Sequence, residues 1–343
     1  MFRSTTNLLR QVPPRTPIVK LSILKKILNF GPAAKKSQLT TSLYYKDTPG
    51  KMNVLDPNTV DADANMGLKA RNKFTRTSKS CHLSGPLHAD ICFQERLIIP
   101  GVDIKVKLVR SKPEFCLVAG GEDPAYKVVI ELAMLCVRRV TVSPTLRMDH
   151  EKYLDKTTVK YPLSRVEVKP IAIPQGLLSL ERENVCLGVL PKRVVIALVN
   201  SAAFHGSYVE NAFNFHHYKV TQVALSVNGD TRKPIQVKFE TNGDGEYIRG
   251  YETLFSGMDK MHADAGNLIN REDYGKGYAL YALDLTPDLS SSEHFNPVQT
   301  GNVRLSIQFA QALPHTVTCL VYAEFESLIE IDKSRNIVFD FST

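Results

Sequence analysis

Apolar and polar residues alternate over most of this chain, and a helical period shows in only two places. In GVDIKVKLV the apolar positions are Val102, Ile104, Val106 and Leu108, the two-residue period of a strand with one face buried. SRVEVKPIAIP repeats the period through Val166 and Val168, then Ile171 and Ile173 beyond Pro170. YKVVIELAMLCVRRVTVS (126–143) reads as a long strand with partial alternation. PKRVVIALVN, TRKPIQVKFET, GYALYALDLT, NVRLSIQFA and TVTCLVYAEFESLIEID complete the set. In NAFNFHHYKVTQVALSVNGD a strand predicted from Tyr218 alternates through Val223, Leu225 and Val227 and closes on the Asn228-Gly229 turn. The helices are predicted near 18–30, with Leu21, Leu24, Ile27 and Leu28 on one face before Gly31-Pro32, and near 246–261, with Ile248, Tyr251, Leu254, Phe255 and Met258. Many strands between Gly/Pro/Asn/Asp turns indicate an all-β sandwich or barrel.

The two helices mark an internal repeat. After each come a polar loop, a strand, a second strand and a long final strand: LHADICF, GVDIKVKLV and 126–143 in the first copy, YALYALDLT, GNVRLSIQF and TVTCLVYAEFESLIEID in the second. Gly101 and Gly301 open matching strands. About 80 residues of strands precede the second helix, and only a basic, proline-interrupted stretch precedes the first. The second copy therefore reads as a complete jelly roll of about eight strands. The first reads as the rear half of one. The expectation is a tandem, or double, jelly roll truncated at the N-terminal half of its first copy, with one short helix per repeat. The expected division is a basic N-terminal arm over 1–26, a partial first jelly roll over 27–160 and a second jelly roll over 161–343.

Composition and charge narrow the function. The 343 residues are 43% hydrophobic and 23% charged, within the range of folded globular proteins. The formal charge of +8 is concentrated: residues 1–46 hold nine Lys/Arg and no acid, and the rest hold 34 basic and 35 acidic side chains. A broad nucleic-acid face is not indicated, and nucleic acid would be met at most through the arm. The arm also has the composition of a mitochondrial transit peptide, although Pro13, Pro14 and Pro17 interrupt the amphipathic helix such a peptide needs. No apolar run approaches a membrane span. The six cysteines form no CxxC pair, and Cys92, Cys136 and Cys319 lie in strand-like runs as small buried hydrophobes. Free thiols and an intracellular, reducing compartment are expected.

Candidate chemistry is sparse. His216 and His217 are adjacent, so on a regular strand they point to opposite faces; with His205 they lack ligand spacing for zinc. DADANMG (61–67) faintly resembles a calcium loop, with its Gly one place late and Asn72 where a Glu belongs. TNGDGEY reads as a turn into the second helix with Asp244 as N-cap, and Asp284 and Asp288 as a solvated loop. Glu324, Glu326, Glu330 and Asp332 are evenly spaced on one face of the last strand, either a solvated outer face or a polar subunit contact. No G-x-S-x-G, P-loop or G-x-G-x-x-G occurs, and no pair of groups is spaced for acid–base work. No catalytic, cofactor-binding or metal-ligating residue is assigned, and the expectation is a protein that is not an enzyme.

GPAAKKSQLTTSLYYKDTPGKM, FQERLIIPGVDIKVKLVRSKPEFCL, KYPLSRVEVKPIAIPQG, LPKRVVIALVNSAAFHGSY, NAFNFHHYKVTQVALSVNG and LVYAEFESLIEIDKSRN resemble the double-jelly-roll major capsid protein family. They are most similar to capsid-like proteins of Maverick/Polinton and adintovirus-like elements in animal genomes. The resemblance runs in order from about Ile27 onward. It implies a structural protein whose partners are itself, as a homotrimer and neighbouring pseudo-hexagonal capsomers of an icosahedral shell, and a minor capsid protein. Localisation would be cytoplasm or nucleus, and the virion once assembled. His216 and His217 would be scaffold or rim residues at the start of a strand. The alternative, from another class, is a non-viral β-sandwich binding module for carbohydrate or another ligand. The absence of Trp counts against sugar stacking. A cupin-like metal jelly roll would need converging histidines, and no His-x-His pair occurs.

Overall fold

The computed structural model describes residues 18–119, 126–232, 234–240, 245–264, 266–286 and 296–339. Residues 1–17 of the basic arm, Asp244 and Asp288 lie outside them. The fold is all-β: two antiparallel sheets with a few short helices. In chain order the helices are α1 (Ile18–Asn29), α2 (Pro32–Lys36), α3 (Met66–Thr75), α4 (Pro113–Cys116), α5 (Pro144–Leu154), α6 (Ser201–His205), α7 (Ile248–Ser256) and α8 (Arg271–Tyr274). The strands are β1 (Val159–Ile173), β2 (Ser179–Val189), β3 (Arg193–Asn200), β4 (Val220–Val227), β5 (Asp230–Thr231), β6 (Ile235–Gln236), β7 (Leu280–Asp284), β8 (Thr300–Phe309), β9 (Val317–Ile331) and β10 (Ile337–Phe339).

One sheet runs β1-β9-β3-β7, with β10 beside β9; the other runs β2-β8-β4-β5, with β6 beside β4. Consecutive strands β1 and β2 fall in different sheets, and the late strands β8 and β9 sit between early ones. This interleaving is the Greek-key order of a jelly roll. It explains the unbroken apolar run of β3. Val194 through Val199 are all fully buried, as expected of an inner strand covered on both faces. The core unites Val223, Leu225, Val303, Leu305 and Ile307 of one sheet with Ile196, Leu198, Val321 and Phe325 of the other.

Helix α1 belongs to the same core. Leu24, Ile27 and Leu28 form a single stripe and are at most 4% exposed. Its C-terminal carbonyls, which lack partners within the helix, accept from two lysine ammoniums. Lys35 Nζ donates to Ile27 O at 2.6 Å, and Lys260 Nζ to Leu28 O at 2.6 Å and Asn29 O at 3.0 Å.

Both outer edges of the first sheet are contacted. On β1, Val166 N donates to Asp90 Oδ2 at 3.2 Å. On β7, Ala282 N donates to Thr253 Oγ1 of α7 at 3.2 Å. Helix α7 lies so close that a Cβ on Gly257 would stand 2.6 Å from Ala282 O. Open strand edges invite pairing with other chains, and these contacts occupy one outward N–H on each.

The strands expected ahead of the sandwich are not paired. Asp90–Phe93 is a 3-10 turn. Residues 102–109 and 126–142 carry no strand assignment. The physical reason is the lack of neighbours: among the described residues no backbone hydrogen bond joins 127–142 to another segment. Gly301 does sit in β8, opposite Gly188 and against the Asn228 side chain, where a Cβ would clash. Gly101 instead occupies a turn at φ 87°, with Arg335 Nε 3.1 Å from where its Cβ would be.

Candidate functional site

Two features stand out on the framework: a charge-paired cleft and a long exposed apolar run. The cleft, about 690 Å³, lies between α1, residues 88–96 and the outer face of β1 and β9. In the β9 register Glu324 sits opposite Val166 of β1 and Arg193 of β3. Arg193 Nη1 approaches Glu324 Oε2 at 3.6 Å, Lys192 Nζ reaches Glu326 Oε1 at 3.2 Å, and Lys25 Nζ pairs with Asp90 Oδ1 at 3.2 Å. The acids of β9 thus do not all form the solvated face that was one of two expectations. Glu324 and Glu326 are mostly covered, because α1 and residues 88–96 lie over that end of the strand. Glu330 stays at the periphery with Lys160 at 3.5 Å. His88 stacks on Phe93 at 5.4 Å, and neither ring nitrogen has a partner. Burial, with Lys26 and Lys25 nearby, lowers its pKa to about 4, so the ring is neutral. Lys25 of α1 pairs with Asp90, which in turn accepts from Val166 N of β1, so this pair ties α1 to the sheet, while the other pairs lie within it.

The sequence-singled residues have structural partners. The strand expected from Tyr218 begins at Val220; Tyr218 and Lys219 are left-handed at φ 42° and 50°, so the histidines lie in a tight turn. His217 stacks on Phe239 at 4.2 Å and accepts at Nδ1 from Lys219 N at 3.0 Å. Burial lowers its pKa to about 4. His216 meets the edge of Tyr218, whose hydroxyl lies 3.2 Å from His315 Nε2. His205 meets Phe204. The faint calcium loop is a helix cap. Asn65 Oδ1 accepts from Gly67 N and Leu68 N, while Asp61 and Asp63 pair with Lys69 and Lys51 at 2.6 and 2.9 Å. Asp284 Oδ1 accepts from Thr286 N at 2.8 Å and Oγ1 at 2.7 Å, an Asx turn. Among the described residues no three His, Cys, Asp or Glu side chains are grouped to hold a metal ion. Cys319 is buried as expected, and burial raises its pKa to about 12. Cys92 and Cys136 are exposed, because the runs around them are not covered.

The apolar run was legible both as hydrophobic pattern and as surface, since the rear half of a jelly roll lacks the opposing sheet that would cover it. Ile104, Val106 and Leu108 are 43% to 69% exposed, and Val129, Ile130, Leu132, Met134, Leu135, Val137 and Val140 are 57% to 79% exposed. Its N-terminal end is tethered, since Tyr208 Oη donates to Tyr126 O at 3.0 Å.

No family model matches the chain. The uncharacterized protein F54H12.2 of Caenorhabditis elegans is 25% identical over 330 residues, which cover 91% of this chain and 72% of that protein. Among solved structures the chain is similar to a PBCV-1 virus capsid model, with TM-score 0.36 and 8% identity over 59% of this chain and 55% of that one. It is similar to the Sputnik virophage structure, with TM-score 0.36 and 9% identity over 55% and 40%. The mavirus major capsid protein gives TM-score 0.24 and 9% identity over 52% and 41%. The chain spans about half the length of the solved chains it matches. No helix among the described residues is long and apolar enough to cross a membrane.

Proposed function

We propose that this protein is a structural, self-assembling capsid-type subunit rather than an enzyme, derived from an endogenous viral or transposable element of the Maverick/Polinton kind. The observation that carries this reading is where the family-like segments fall. KYPLSRVEVKPIAIPQG forms β1 and its turn, LPKRVVIALVNSAAFHGSY forms β3 and α6, NAFNFHHYKVTQVALSVNG enters and forms β4, and LVYAEFESLIEIDKSRN forms most of β9. These are the strands whose interleaved order makes the jelly roll. The segment ahead of the sandwich would be the rear of a second, tandem jelly roll. Trimeric, pseudo-hexagonal capsomers are the assembly this reading implies. Light scattering after size exclusion tests it: the expected mass is three times the 38.3 kDa chain, with rings in negative stain. A monomer at all accessible concentrations would sink the capsomer reading.

A further inference from the structure

The exposed run at 126–142 has an internal symmetry of charge. In an extended conformation its even positions are Val128, Ile130, Leu132, Met134, Cys136, Arg138, Val140 and Val142. Its odd positions are Lys127, Val129, Glu131, Ala133, Leu135, Val137, Arg139 and Thr141. Every residue from 129 to 141 is exposed, and no backbone hydrogen bond uses the run's edges among the described residues. Side chains touch it only lightly: Arg110 Nη1 donates to Val128 O at 2.7 Å, and Ser80 Oγ lies 3.1 Å from Glu131 Oε2.

We infer that this run pairs antiparallel with the same run of a second copy, about a two-fold axis at Leu135. Only registers that oppose even to even and odd to odd positions keep the apolar side chains together, because side chains alternate along a strand. Of these, the register centred on Leu135 sets Glu131 of each copy opposite Arg139 of the other, two cross-strand ion pairs on one face. On the opposite face it sets Val128 against Val142, Ile130 against Val140 and Met134 against Cys136, with Leu132 against the aliphatic stem of Arg138. Centring on Cys136 instead would place Ala133 opposite Arg139 and leave Glu131 facing Thr141. The contact is isologous, so it closes at two chains. Twelve large apolar side chains between 104 and 140 are 43% to 80% exposed, and edge pairing brings those within 128–142 into cross-strand contact. Arg110 holds the 102–110 run beside the ribbon, where Ile104, Val106 and Leu108 extend the apolar face. The two-fold contact competes with the trimeric capsomer for the state of the free chain: twice the chain mass in light scattering favours the ribbon, and three times favours the capsomer.

Charge reversal tests the register in the full chain. Glu131→Arg and Arg139→Glu each place like charges opposite one another and should raise the dissociation constant of the dimer about tenfold or more. The double variant Glu131→Arg/Arg139→Glu should restore it. In a Cys136→Ser background, Leu135→Cys should form an intermolecular disulfide under mild oxidation, because directly opposed strand residues lie about 4.5–5.5 Å apart at Cα, within disulfide reach. Val137→Cys, opposite Ala133, should not. A trimer or aggregate indifferent to both reversals, a monomer at all concentrations, or equal cross-linking at 135 and 137 would each overturn the inference. The first of these would leave the capsomer reading standing.

Discussion

Asp90 joins three parts of the molecule. Its carboxylate accepts from Val166 N on the edge of β1, pairs with Lys25 of α1, and is 7% exposed. Removing it leaves a mostly buried ammonium and a strand N–H without partners. Asp90→Ala should destabilise the fold by about 3 kcal/mol in urea titration, and Asp90→Asn by less, since its amide oxygen still accepts. Lys35 makes a second residue-scale prediction. It is 4% exposed, and burial, then Lys260, then Lys46 lower its pKa from 10.5 to about 7. The unfolded chain keeps this proton up to about pH 10.5, and the folded chain releases it near pH 7. Between those values the unfolded state binds more protons, so stability rises with pH; below pH 7 the penalty is complete. The denaturation midpoint should rise from pH 7 to pH 9, and Lys35→Met should flatten that rise. Neither role was legible in the sequence, because Asp90 acts 76 positions from Val166 and Lys35 reaches Asn267 across 232.

At the scale of elements, pattern and structure agree where a strand has neighbours. The runs predicted as β1, β3, β7, β8 and β9 are strands, and both predicted helices form, the second as the shorter Ile248–Ser256. Helix α7 depends on Gly257, whose missing Cβ lets the helix end close on Ala282 O. Gly257→Ala should push α7 from β7 and cost roughly 1–3 kcal/mol, seen as faster hydrogen exchange along Leu280–Asp284. Helix α1 was predicted from its stripe, but its docking on the sandwich was not. Leu24→Ala should cost about 3 kcal/mol, because Leu24 is 1% exposed within the main core.

For the whole molecule, the contrast lies between contacted and open edges. The first sheet is contacted at β1 by Asp90 and at β7 by Thr253. The run at 126–142 is open on both edges and both faces. With the first sheet's edges contacted in this way, the open run is the surface through which the second copy is proposed to pair. The fully exposed Glu131–Arg139 stretch is therefore where assembly state should respond to mutation, and surface changes on β2 or β5 should leave it unchanged in light scattering.

Sequence alone determined which runs are apolar, their period, and the order of turns between them, since these follow from side-chain chemistry and strand geometry. It thereby specified an all-β chain and the Asn228-Gly229 turn that closes β4. Whether an alternating run becomes a paired strand was decided by tertiary structure, because a strand is completed by hydrogen bonds to neighbours far along the chain. β9 has β1 and β3 on either side, and 126–142 has neither. The same cause separates Cys319, sealed in the core, from Cys136, exposed in an equally apolar run.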